Sequence, residues 1–94
     1  MFTWLNKQGV RSDEGFEVQF TGRFDVEYRE SGKTVEIYVE SGISGGLPCI
    51  SIEPNAFDRW KDGEVIPIEQ QLKMFDNFRK AIEFQGLILT VEKE

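Results

Sequence analysis

Apolar and polar residues alternate over three stretches near the start of the chain: Phe16-Val18-Phe20, Phe24-Val26-Tyr28 and Val35-Ile37-Val39. A period of two puts every second side chain on one side of an extended backbone, so each stretch predicts a strand with one buried face. The turns between them set a register. Ser31-Gly32 as a two-residue hairpin loop pairs Tyr28 with Val35, Val26 with Ile37 and Phe24 with Val39. A two-residue loop at Thr21-Gly22 would throw apolar side chains onto opposite faces. A three-residue loop, Thr21-Gly22-Arg23, pairs Phe20 with Phe24, Val18 with Val26 and Phe16 with Tyr28. Both turns then agree on one apolar face, which predicts a three-stranded meander.

The flanking segments read as further elements. Phe2 to Leu5 predicts a short strand, followed by turns at Asn6-Lys7-Gln8-Gly9 and Ser12-Asp13-Glu14-Gly15. The stretch 41–48 reads as a flexible loop and a candidate contact segment, and Cys49 to Glu53 as another strand. Asn55, with Asp58 at the third position, predicts a capped short helix over 55–62 with Phe57 and Trp60 inward and Gly63 at its end. Pro67 and Glu69 suit the first turn of a long helix over 67–85, with Ile68, Leu72, Phe75, Phe78 and Ile82 as its apolar stripe. Gly86 ends that helix, and Leu87 to Val91 returns as a last strand. The expected fold is α+β: an antiparallel twisted sheet of about five or six strands with one long C-terminal helix packed on one face. The order is β-β-β-β-β-α(short)-α-β, in a single domain over residues 1–94.

Composition narrows the chemistry. The 94 residues supply one core, and 39% apolar content excludes a disordered acidic tail. There is no histidine, so Ser-His and Cys-His nucleophile pairs, imidazole acid–base catalysis and imidazole metal ligation are all absent. Cys49 has no disulfide partner within the chain and fits a reducing compartment. No apolar run approaches a membrane span, and residues 1–4 lack the pattern of a secretion signal. A net charge of −6 argues against binding a phosphate backbone and suits a basic protein partner. The excess is uneven, −4 over residues 1–53 and −2 over residues 54–94.

The expected register lines up Glu17, Glu27 and Glu36 across three strands, with Asp25 and Glu40 nearby. Like charges directly opposite each other destabilise a sheet, so such a row suggests a docking surface for something cationic. The candidate partner-binding set is Glu17, Asp25, Glu27, Glu36, Tyr38 and Glu40. The bland alternative is a solvated face, neutralised by Arg29 diagonal to Glu17 and Glu36 and by Arg23 opposite Glu40. Parallel carboxylates on a sheet lack the loop spacing of a calcium site, and no Gly-Lys-Ser or Gly-Lys-Thr follows Gly42, Gly45 and Gly46. No catalytic residue, cofactor or metal is expected.

From Phe16 onward the order of features resembles a known family. The segments that carry the likeness are Tyr28-Arg29-Glu30-Ser31-Gly32-Lys33, Val39-Glu40, Arg59-Trp60-Lys61-Asp62-Gly63-Glu64-Val65-Ile66 and Ala81-Ile82-Glu83-Phe84-Gln85-Gly86. They resemble small bacterial immunity proteins of polymorphic toxin systems, particularly the immunity protein 74 type. The resemblance implies a cytoplasmic, non-enzymatic α+β domain that binds and blocks a cognate toxin. It transfers no functional residue to a numbered position. The expected partner is therefore a protein, in one form a basic toxin domain, with no nucleic acid and no membrane. Two alternatives stay open: a self-associating or housekeeping module forming a homodimer through a strand edge, and a small enzyme using carboxylates.

Overall fold

A computed structural model describes residues 1–92 of the chain. The meander expected from the alternating stretches is present and extends further toward the N-terminus. Strands β1 (Phe2–Asn6), β2 (Gly9–Ser12), β3 (Phe16–Phe20), β4 (Asp25–Glu30) and β5 (Lys33–Tyr38) form one antiparallel sheet in sequence order. After Val39 the chain enters a second sheet, β6 (Glu40–Ser44), β7 (Leu47–Ile52) and β8 (Ile88–Val91), in which β7 and β8 run parallel. Helix α1 (Ile68–Phe84) makes the crossover between those two parallel strands. The fold is α+β.

The Ser31-Gly32 turn behaves as expected. Both residues have positive φ, 54° and 78°, the type I′ geometry whose twist matches a two-residue hairpin. Tyr28 pairs with Val35 and Val26 with Ile37. The β3–β4 register differs by two residues: Phe20 pairs with Val26, Val18 with Tyr28 and Phe16 with Glu30. The longer connection keeps the buried face intact, because an even shift preserves which side chains point inward. Phe24 is the residue displaced by it. It lies in the connection, 43% exposed, with its ring 6.2 Å from Tyr38.

Two segments depart from expectation. Residues 41–48 do not form a loop; they are a hairpin whose two-residue turn, Gly45-Gly46, has φ of 59° and 82°. Glycine adopts both left-handed values without strain, so the pair suits a two-residue hairpin turn. Residues 55–62 do not form a helix. The stretch makes single turns, with the Asp58 N–H donating to the Asn55 carbonyl, and then folds back so that Arg59 bridges Val65. Too few residues lie between Pro54 and Gly63 to repay helix nucleation, and the backbone finds its partners across the fold-back instead. Phe57 and Trp60 still point inward and are buried.

The core is a chain of aromatic contacts running from the sheet into the helix. Phe16 stacks on Tyr28 with ring centroids 5.6 Å apart, Tyr28 meets the edge of Phe57 at 5.6 Å, and Phe57 meets Phe78 at 5.5 Å. The inward face of α1 is Met74, Asn77, Phe78, Ala81 and Ile82. The expected stripe was rotated relative to this face: Ile68 and Leu72 are each 66% exposed. The polar Asn77 turns inward because its amide donates to the Tyr28 hydroxyl (3.1 Å), which in turn donates to Glu30 (2.7 Å). The helix closes in a Schellman arrangement at Gly86, with the Leu87 N–H donating to the Ile82 carbonyl and the Gly86 N–H to that of Glu83.

Burial pushes the Tyr28 phenol well above the ordinary tyrosine value of 10.0. The unfolded chain therefore gives up this proton first, so stability is full below about pH 10 and falls as the pH rises further. Urea unfolding at a series of alkaline pH values should show that decline, and Tyr28→Phe should flatten it. At neutral pH the same substitution strands the buried Asn77 amide and should cost about 1–3 kcal/mol.

Candidate functional site

Helix α1 and the aromatic core occupy one face of the five-stranded sheet; the opposite face carries the charged side chains. Its two central rows follow directly from the register. One runs Thr3–Arg11–Glu17–Arg29–Thr34 across all five strands. The next runs Asn6–Gly9–Gln19–Glu27–Glu36. A last pair, Asp25 and Tyr38, lies toward the end of β4 and β5.

Glu17 is thus not in line with Glu27 and Glu36, as the shorter loop had implied. The two-residue shift sets it opposite Arg29, between two guanidinium groups, at 2.7 Å from Arg11 and 3.2 Å from Arg29. It is a neutralised group inside a basic–acidic–basic ladder. Glu27 and Glu36 do face each other directly. Arg29 also reaches Glu27 at 3.2 Å, and Lys61 reaches Glu36 at the long distance of 4.0 Å. Gln19, which stands opposite Glu27, turns away from it across Gly9 to exchange hydrogen bonds with the Asn6 amide (2.7 and 3.2 Å). A β-carbon at Gly9 would lie 2.1 Å from the Gln19 side-chain oxygen, so the bare backbone there permits the crossing.

Glu40 lies apart from this face. It starts β6 and pairs with Ser51 in the second sheet. There its charge is the main influence raising the pKa of Glu92, ahead of desolvation and of Glu53. Arg23 does not stand opposite it; the guanidinium sits over the Phe24 ring at 5.5 Å. Of the candidate residues, the structure brings Asp25, Glu27, Glu36 and Tyr38 together on β4 and β5, places Glu17 beside them in an ion-paired row, and puts Glu40 elsewhere.

The sequence reading missed what borders this group. Residues 53–58 pass beside β5 and, with Glu36, Ile37 and Tyr38, enclose a groove of about 350 Å³ lined also by Glu53, Asn55, Ala56 and Asp58. Three carboxylates therefore face one channel, with the half-exposed ring of Tyr38 on its wall and that of Phe24 beyond. Nothing in the strand periodicity signals this: Glu53 is expected at the end of a strand and Asp58 in a short helix, and the turns that follow Ile52 bring both to the groove. A second groove, about 420 Å³, lies at the other end of the sheet and includes Arg11, Arg29 and Lys33. Its cations are engaged within the chain: Lys33 pairs with Glu64 at 2.7 Å and both arginines with Glu17. Among the described residues no group of three or more acidic, cysteine or histidine side chains has the geometry to hold a metal ion. No helix of the described residues is long and apolar enough to cross a membrane.

No protein family, curated protein or solved structure matches this chain.

The register separates the glutamates by their energetic roles. Glu17→Gln breaks two partly buried ion pairs and should lower stability by about 0.5–1 kcal/mol. Glu36→Gln relieves the opposition to Glu27 and should leave stability unchanged or raise it by less than about 0.5 kcal/mol. Parallel urea denaturation at low ionic strength measures both, and equal effects of the same sign would contradict the assigned pairing.

Proposed function

We propose that this protein is a non-enzymatic binding domain whose acidic β4–β5 surface docks a cationic partner, and that the partner is a basic toxin domain which it neutralises in the cytoplasm. The observation that carries the reading is the convergence of Glu36, Glu53 and Asp58 on one groove, beside Asp25, Glu27 and the rings of Tyr38 and Phe24. A lysine or arginine side chain entering such a groove meets several carboxylates and an aromatic wall, the two features that attract a cation. The resemblance to immunity proteins gives the same class of function. The carboxylates of this face stand in solvent or in ion pairs, whereas an acid catalyst needs a carboxyl enclosed by apolar walls. Glu17 serves the ladder beside the surface and is not part of the docking set; Glu40 begins the second sheet, paired with Ser51, and does not line the groove.

Electrostatic docking of this kind is fast and salt-sensitive, because screening acts within about 8 Å at physiological ionic strength. Capture of partners from the native host, with the wild type beside an Asp25→Asn/Glu27→Gln/Glu36→Gln variant, tests the reading. The expected result is a basic protein recovered at low salt by the wild type, released as salt rises, and lost from the variant. Equal recovery by both proteins at low salt would reduce this face to a solvated surface.

A further inference from the structure

The fold-back of residues 59–65 has Asp62-Gly63 at its tip. Two backbone bonds close it: the Gly63 N–H donates to the Trp60 carbonyl at 2.9 Å, and the Trp60 N–H to the Glu64 carbonyl at 2.9 Å. Gly63 has a φ of 92°, in the left-handed region. The Asp62 carboxylate has a defined pose in this turn. Its Oδ1 accepts the Glu64 N–H at 2.9 Å, a bond from a side chain to the backbone two residues on. Such a bond closes a ring around the intervening residue, so the carboxyl carbon is carried alongside the Gly63 nitrogen. The side chain is 58% exposed, with Oδ2 4.0 Å from Lys33 Nζ. An open depression of about 270 Å³, lined by Lys33, Thr34, Trp60 and Asp62, admits water to it.

Asp62 is the one aspartate of the chain that precedes a glycine. Asp13, Asp25, Asp58 and Asp76 precede Glu14, Val26, Arg59 and Asn77. A side chain on the following residue crowds the approach of that residue's nitrogen to the carboxyl carbon, and glycine carries none. Regular structure restrains two of the others further, since Asp25 and Val26 lie in β4 and Asp76 and Asn77 in α1. The Gly63 nitrogen is held by a single bond at an exposed turn, where opening is local and needs no loss of the core.

We propose that Asp62-Gly63 is a site of spontaneous covalent modification, at which the folded protein converts aspartate to isoaspartate with water as the only co-reactant. The Gly63 nitrogen bonds to Cγ of the protonated Asp62 carboxyl. The Cγ–hydroxyl bond breaks, and the hydroxyl leaves with the amide proton as water, giving a five-membered succinimide ring. A second water opens the ring. Attack at the Asp62 main-chain carbonyl breaks its bond to the Gly63 nitrogen, which takes up the proton, and the chain then runs through Cγ. Attack at Cγ restores aspartate. The isoaspartate product has one extra main-chain atom at the tip of the turn. The pairing of Trp60 with Glu64, the Arg59–Val65 bridge and the Lys33–Glu64 ion pair (2.7 Å) all lose their register. The Lys61 N–H, which donates to the Thr34 carbonyl at 2.7 Å and covers the edge of β5, adjoins the insertion; its loss bares a strand edge. No residue lining the acidic groove takes part, so the reaction stands apart from the docking reading.

The test incubates the full chain for several weeks at body temperature and neutral pH in water enriched in heavy oxygen, followed by digestion and mass-spectrometric mapping. Ring opening installs one oxygen from water, so the peptide spanning Asp62 should gain the label. Isoaspartate there should exceed the sum at Asp13, Asp25, Asp58 and Asp76. Asp62→Glu, whose longer side chain disfavours ring closure, should carry neither label nor isomer at that position. Tyr28→Phe separates a local reaction from one of the unfolded chain. It lowers global stability, so a path through unfolding would run at least about fivefold faster, whereas the turn should react at the wild-type rate. In the converted protein, amide shifts should move at Thr34 and residues 59–65 and stay fixed at Val10 and Val18. Label spread over several aspartates would overturn the proposal. So would its absence from Asp62 once a short Lys-Asp-Gly-Glu peptide has converted, a rate raised by Tyr28→Phe, or an unmoved Thr34 in the converted protein.

Discussion

Trp4, Val10, Val18, Tyr28 and Val35 form one row across all five strands of the main sheet, and the architecture depends on that row staying on one face. Val10, Val18, Tyr28 and Val35 are essentially inaccessible to water. A slip of one residue in any pairing would turn these side chains outward and bring charged neighbours into the core, at a cost far beyond the marginal stability of a domain this size. Parity is therefore fixed by the hydrophobic effect. The exact register is fixed by the turns, and it is the register that sets the charge pattern on the other face.

The same row carries the connection to the rest of the molecule. Tyr28 stacks on Phe16 within the sheet, receives the edge of Phe57 from the turn segment, and bonds to Asn77 of the helix. Three parts of the chain that are distant in sequence meet at one side chain. This explains why α1 presents Asn77 inward while Ile68 and Leu72 remain outside. The helix is oriented by a specific polar contact, Asn77 to Tyr28, and not by apolar residue count alone.

The alternating stretches made the meander, its buried face and the Ser31-Gly32 turn legible in the sequence, because period and turn chemistry pointed the same way. The β3–β4 register was not legible to better than an even number of residues: both alternatives bury the same side chains, and only the conformation of residues 21–25 distinguishes them. Strand β2 escaped notice because Val10 is its single large inward residue, between turn-rich flanks. The Gly45-Gly46 hairpin did carry a signal in the paired glycines, but β6 lacks alternation and its residues are exposed. Of the candidate site, Asp25, Glu27, Glu36 and Tyr38 were found by strand periodicity. Glu53 and Asp58 were not, since they reach the groove through turns, and Glu17 was misassigned by the same two-residue difference.

The outcome is a molecule with an acidic groove at the β5 side, set beside the Arg11–Glu17–Arg29 ladder that ties β2, β3 and β4 together. That arrangement follows from the pairing of β3 with β4, which nuclear Overhauser contacts measure directly. Even-numbered residues of β3 form the non-bonded pairs with β4, where α-protons approach most closely. Strong α-proton contacts are expected between Val18 and Tyr28 and between Phe20 and Val26. Contacts of Val18 with Val26 and of Phe16 with Tyr28 instead would restore the row of three glutamates and contradict the account.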